Sequence, residues 1–452
     1  MIESPHFLST KIFKMVNRTL IQRDLHHIWH PCSQMKDFET VPPLIVNMAK
    51  GSFLYTDKGP LIDANSSWWC KSLGHQHPAV IEAIKKQLSS FEHVIGANTT
   101  HPILVELAEY LTKISKLQHV FFASDGSTAV EIAMKLALHV NMIKGLPHKR
   151  EFIALANSYH GETLATLAVS DLGIYKDPYK DFGVHCHFID FLPYLSNRDD
   201  PLWSDSEHCW KQCESYLDTI SENVCAIIVE PVVQGAGGMK LYSPDFLTRL
   251  SQWAKSKNIL LIADEIMTGC GRTGKWLASH HADIIPDMIC LSKGLTSGSI
   301  PFSCVMINHS IFEVFYDDYE KGKSFLHSHT YSGNPLGASA ALATLKVIEE
   351  EKILEQAQQL EKAMANFFHD IAVVSGKLTN IRHIGGIIAA DLQATANSRV
   401  GYQVYAEALE RGAFLRPLGN TLYWLPPLNI DEATISNLAE ITLNSINAVY
   451  SK

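Results

Sequence analysis

LLIADEIMTGCGRTGK (Leu260–Lys275) and CLSKGLTSG (Cys290–Gly298) are the stretches on which the reading of this chain turns. Each opens as a short apolar run that stops abruptly at a charged residue. Ile259–Ala263 ends in Asp264-Glu265, and Met288–Leu291 ends in Ser292-Lys293. Continuous apolar runs of this length, bounded by turn residues, fit strands buried on both faces. The same form recurs at Val120–Ala123, Phe152–Ala156 and Ala226–Val229, and helical stretches such as Thr128–Met142 and Phe246–Lys257 separate most of the runs. Short buried strands alternating with helices predict an α/β architecture around a mostly parallel sheet.

Outward from this centre the pattern changes. Pro43–Ala64 reads as a small antiparallel meander, with Asp57-Lys58-Gly59 as a turn, and helical spacing follows at Ala79–Phe91 and Ile103–Ile114. Beyond Tyr331 come helices at Ala338–Glu351 and Ile353–Phe368. A Gly-punctuated strand region at Ile381–Leu392 follows, then strands at Ala413–Leu415 and Leu422–Leu425 and a last helix at Asp431–Val449. The expected layout is a large α/β domain over residues 66–330 and a smaller α+β domain built from residues 1–65 and 331–452. Residues 1–30 carry no firm periodicity, and the first dozen are expected to be disordered. No internal repeat is present, which removes the solenoid class.

Composition narrows the function classes. In 452 residues, Lys+Arg 38 against Asp+Glu 47 leaves a net charge of −9, so there is no basic surplus for nucleic acid. Apolar runs fall far short of the roughly 20 residues of a membrane helix. Charged residues are only 19%, below the roughly 25% of an ordinary soluble chain, which suggests a subunit interface. Nine cysteines without a CxxC pair argue against a disulfide framework, and the N-terminus lacks the apolar core of a signal peptide. The cytoplasm is the expected compartment.

Ligands of open α/β sheets bind beyond the carboxyl ends of the strands. Ser124-Asp125-Gly126-Ser127 follows the first run and precedes a helix whose start could hold a phosphate, although a plain turn and cap would look the same. The next four runs deliver Tyr159 and His160, then Glu230 and the amide of Gln234, then Asp264, then Lys293. Any one of these has an ordinary explanation. As a set they do not, because a lysine closing an apolar strand has little reason to be there unless it reacts. A lysine for covalent attachment, an aspartate for a ring nitrogen and a phosphate cradle suit pyridoxal 5′-phosphate.

The two opening stretches resemble the signature of the class III aminotransferases, and Lys293 follows Asp264 at that family's spacing. HIWHPCSQMKD (His27–Asp37), SSWWCKSLGHQHP (Ser66–Pro78), SYHGET (Ser158–Thr163), EPVVQGAGGM (Glu230–Met239) and GAFLRPLGNTLYWLPP (Gly412–Pro427) are similar to one branch of it. That branch aminates 8-amino-7-oxononanoate to 7,8-diaminononanoate in biotin synthesis, with S-adenosylmethionine as donor. The resemblance implies a fold-type I enzyme, a homodimer with shared active sites, and particular residue roles. Gly126, Ser127 and His329 would meet the cofactor phosphate, with Thr330 reaching it from the neighbouring subunit. Tyr159 would stack on the ring, Asp264 would face its nitrogen, and Lys293 would carry it. Trp68, Tyr159, Ser328 and Arg416 would line the substrate site, together with Cys32, which stands where relatives often have an aromatic residue. His329 replaces a common proline, and Glu162 is a longer version of the usual acid.

Alternatives within this reading are a lysine-using relative, an ω-amino acid or acetylornithine aminotransferase, and a decarboxylase on the same fold. Glutamate-using relatives tend to have an arginine where this chain has Glu162, which disfavours them. For the tryptophan pair, a strand would turn the two side chains to opposite faces, so with Trp68 placed in the site by the resemblance, Trp69 is left to packing. Among the 22 histidines, His75-Gln76-His77, His185-Cys186-His187, and His208-Cys209 with Cys213 are the tightest clusters. None has a second half at zinc-site spacing, so no metal is expected.

Overall fold

The computed structural model describes residues 10–395 and 398–451, with the backbone alone for residues 10–18. A seven-stranded sheet forms its centre, in the order His119–Ala123, Ser303–Ile307, Met288–Leu291, Leu260–Asp264, Val224–Val229, Glu151–Leu155, Cys186–Ile189. Neighbours run parallel except around Ser303–Ile307, which is antiparallel to both strands beside it. The central strands Val224–Val229 and Met288–Leu291 are apolar throughout, and Leu260–Asp264 is apolar up to Asp264, because helices cover both faces. On one face the helix Gly126–Ile143 packs on Ala226, Ile228, Ile262 and Cys290. On the other, the helices Glu207–Ile220 and Pro244–Ser256 cover Ile153, Ile227 and Leu261. Helices Pro102–Ser115 and Pro335–Glu350 cover Ile289, Leu291 and Cys304 on that second side. Ile228 is fully buried, and its truncation to Ala would cost about 2–5 kcal/mol.

Helix starts follow their caps. Asp125 accepts from the Thr128 N–H in a capping box, Ser243 accepts from Phe246, and Asn334 accepts from Leu336 and Gly337 ahead of a proline at the first turn. The meander Val46–Lys50, Phe53–Thr56, Gly59–Asp63 gains a fourth, parallel strand, Ala413–Phe414, so one sheet joins the two ends of the chain. A second small sheet holds Leu378–Ile384, Ile387–Leu392 and Thr421–Trp424.

Two expectations change. Thr10–His27 is a helix, whereas no periodic element was expected before residue 30, and the expected disorder of residues 1–9 lies outside the described residues. The tryptophan pair is not in a strand: residues Ser66–Trp69 all have positive φ and form a left-handed turn. Among the described residues, no helix is long and apolar enough to cross a membrane.

Candidate active site

The carboxyl ends of four adjacent strands meet at one rim. Leu260–Asp264 ends in Asp264, which is 4% exposed; its Oδ2 accepts from Nδ1 of His160 at 2.8 Å and its Oδ1 from the Ile266 N–H. His160 is buried too, and its Nε2 has no partner among the described residues. The next strand, Met288–Leu291, leads to Lys293, whose backbone takes a left-handed conformation at φ 41. Non-glycine residues in this region carry strain and cluster at functional sites. Nζ of Lys293 lies 4.5 Å from the centroid of the Trp69 ring. Removal from water lowers its pKa, and the charges of Asp264 and Glu230 pull back upward.

Glu230 closes Val224–Val229. Its Oε2 accepts from the Tyr159 N–H and its Oε1 from the Gly235 N–H, both at 2.9 Å. Burial pushes its carboxyl up to about 7 despite those two bonds. Gln234, read as the amide of the rim, has a structural place instead. Its Nε2 donates to the Ala156 carbonyl and its Oε1 accepts from Tyr194, so its side chain is spent.

Gly126 and Ser127 stand at the start of an 18-residue helix. The capping box takes the Thr128 N–H, which leaves the N–H groups of Gly126 and Ser127 ahead of it at the helix end, where an anion is favoured. Gly161 brings the Tyr159-His160 loop against this end: at φ 129, a Cβ there would sit 2.3 Å from Ser127 Oγ. A Cβ on Gly126 would meet Ile266, two residues past Asp264, at 2.9 Å. The helix end, the buried acid and the lysine therefore share one cradle. It suits a phosphate-bearing cationic ring that bonds to an amine.

The mouth is set by the left-handed turn. Such a conformation costs roughly 1–2 kcal/mol per residue without compensation. Asp63 supplies the compensation, accepting from Ser67 N–H at 3.0 Å, Ser67 Oγ at 2.7 Å and His75 Nε2 at 2.8 Å. The turn sends the two indoles apart. Trp69 is 4% exposed and donates from Nε1 to Tyr423 Oη, so it packs as expected while also facing Lys293. Trp68 is 46% exposed and lies 5.0 Å from the guanidinium carbon of Arg416. Arg416 donates from Nη2 to the Cys32 carbonyl. Cys32 Sγ in turn lies 3.1 Å from Tyr175 Oη. That bond, with burial, pushes the Tyr175 phenol up to about 12. The Tyr159 hydroxyl donates to Glu162 at 3.0 Å, and burial and that acid raise its pKa well above the ordinary value.

Lys293, Asp264, Tyr159, Gly126 and Ser127 thus meet at the rim, with Trp68, Arg416 and Cys32 at its mouth. Among the described residues, no hydrogen bond, ion pair or ring contact links Ser328, His329 or Thr330 to these residues. The segment runs past His327, which meets Lys135 Nζ and the Phe121 ring, and Nδ1 of His329 has no partner among the described residues. Sequence reasoning gave no role to His160, Glu230 or Tyr175, and gave Trp69 packing but not its place facing Lys293. His160, Glu230 and Trp69 stood in motifs already singled out, but their partners lie on other strands.

The class III aminotransferase model matches residues 35–446. Adenosylmethionine-8-amino-7-oxononanoate aminotransferase of Synechococcus elongatus is 39% identical over 89% of this chain and 94% of its own. The crystal structure of the enzyme with that same name from Methanocaldococcus jannaschii superposes with a TM-score of 0.88 at 29% identity, covering 96% of this chain and 99% of the other. An omega transaminase from Pseudomonas jessenii, solved in complex with PMP, reaches 0.86 at 26% identity over 96% and 98%. The likeness thus spans the meander, the central sheet and the C-terminal sheet together, and the chain belongs to the class III aminotransferase family.

Proposed function

We propose that this aminotransferase moves the amino group of S-adenosylmethionine onto the ketone of 8-amino-7-oxononanoate, giving 7,8-diaminononanoate for biotin synthesis. One observation carries the choice of acceptor. The Arg416 guanidinium stacks on Trp68 with no carboxylate partner among the described residues, and Glu162 places an acid at the same mouth. Tyr175 lies within electrostatic reach of both. A keto acid with a carboxylate at one end and an amine beside its ketone matches a guanidinium without a carboxylate partner among the described residues and an acid held by the Tyr159 hydroxyl.

Pyridoxal 5′-phosphate, when bound, supplies a sink for the electrons of a broken Cα–H bond and carries the amino group between donor and acceptor. Gly126 and Ser127 would hold its phosphate, with His329 and, from the neighbouring subunit of a homodimer, Thr330. Tyr159 would cover the ring, Asp264 would keep its nitrogen protonated, and Lys293 would hold it covalently. His160 orients Asp264 by donating from Nδ1. Lys293, its pKa lowered by burial, would take the proton from the donor Cα and deliver one at carbon 7 of the acceptor. Trp68, Ser328, Cys32 and Arg416 line the substrate side. The cytoplasm is the compartment we assign, in keeping with nine free cysteines.

Incubating the holoenzyme with 8-amino-7-oxononanoate and S-adenosylmethionine should yield 7,8-diaminononanoate by mass spectrometry. Product with lysine or glutamate but not with S-adenosylmethionine would overturn the donor. No product with any of the three would overturn the acceptor.

A further inference from the structure

His185 and His187 take no part in the site described above. They lie at the start of the last strand of the sheet, Cys186–Ile189, where the Phe152 N–H donates to the His185 carbonyl and Ile153 stands opposite His187. Side chains alternate along an extended chain, so His185 and His187 share one face. Cys186 and Phe188 take the other, against the core around Gly126–Ile143. Glu151 opens the neighbouring strand two residues before Ile153, which puts its side chain on the histidine face.

The three groups converge. Nε2 of His187 lies 2.7 Å from Oε2 of Glu151, and the two imidazole rings meet edge to face with centroids 4.6 Å apart. One ligand atom from each of Glu151, His185 and His187 lies within 4.8 Å of the other two. The His187–Glu151 contact alone would be an ordinary ion pair, but His185 brings a third donor to the same point. Two imidazoles and a carboxylate are a ligand set of zinc sites that keep an open position for water. Zinc bonds of roughly 2.0–2.1 Å require the three donors to close by a small rotation. His185 is exposed and free to make it. The histidine spacing lacked a second half in sequence; the parallel strand pairing supplies it from a residue 34 positions upstream.

We infer that Glu151, His185 and His187 bind one divalent transition-metal ion of the zinc class at the amino end of the sheet, opposite the rim that holds Lys293. An ion there would clamp the exposed edge strand to its neighbour without touching the chemistry.

The test is equilibrium dialysis of the chelator-treated holoenzyme against Zn²⁺, with thermal melting beside it. Wild type should bind one equivalent more than the triple variant His185→Ala, His187→Ala, Glu151→Gln. Each single variant should bind that equivalent at least about ten-fold more weakly. Zinc should raise the melting temperature of wild type and not of the triple variant. Equal zinc binding by wild type and triple variant would overturn the proposal. Should the strand variants fail to fold, His185→Ala decides alone: its side chain is exposed, and unchanged zinc binding there would equally overturn the site.

Discussion

Nδ1 of His160 donates to Oδ2 of Asp264 over 2.8 Å, and both side chains are buried where the central strand ends. A buried carboxyl group this well held is fixed in place, ready to face a cationic ring nitrogen. Asp264→Asn can still accept from His160 but carries no charge. It should fold and retain cofactor while kcat falls by about 10²–10³-fold. Near-normal kcat with cofactor bound would contradict the role.

Lys293→Ala should abolish turnover, a loss above about 10⁴-fold, because the same amine both attaches the cofactor and moves the proton. Borohydride reduction of the wild-type holoenzyme followed by peptide mapping should place the pyridoxyl group on Lys293. Its appearance on another lysine would end the assignment.

Arg416→Ala should weaken use of the keto acid by about 2–5 kcal/mol in kcat/KM at fixed donor, if the carboxylate is paired out of water. A loss below about 1 kcal/mol would mark Arg416 as a solvated cation stacked on Trp68.

Glu230 gives a pH signature. Its folded-state carboxyl, raised to about 7 by burial, binds a proton that the unfolded chain releases at the ordinary value of 4.5. An acid with a raised pKa favours the folded state fully below the unfolded pKa, and that contribution is lost as pH rises through the folded one. In the apoprotein, the stability of wild type relative to Glu230→Gln should therefore fall between pH 4.5 and 7, by on the order of 3 kcal/mol. Parallel stability profiles over that window would contradict the buried, proton-binding carboxyl.

What could be read in advance follows from where each signal is written. Val224–Val229 and Met288–Leu291 were legible because a strand buried on both faces must be apolar at every position. Cys186–Ile189 escaped because an edge strand with histidines on one face shows no such run. Ser303–Ile307 carries the apolar run Cys304–Ile307, but it lies just past the turn-rich stretch around Gly298 and Pro301, and nothing local marks its antiparallel pairing. In the Thr19–His27 part of the first helix most side chains are partly or fully exposed, so packing imposes no apolar stripe. Lys293 and Asp264 stood out as charges closing apolar runs. The His160–Asp264 and Cys32–Tyr175 contacts join residues 104 and 143 positions apart, which no spacing rule reaches. Strand alternation put the tryptophans on opposite faces, yet Asp63 holds that backbone in a left-handed turn.

The donor tests the proposed reaction most directly. Glu162 would repel the second carboxylate of glutamate, while Trp68 and Tyr159 offer aromatic faces to a sulfonium cation. Single-turnover conversion of the bound pyridoxal phosphate to its amine form, followed by absorbance, should be fastest with S-adenosylmethionine, slower with lysine and slowest with glutamate. If glutamate reacts fastest, the charge argument from Glu162 fails and the proposed donor fails with it.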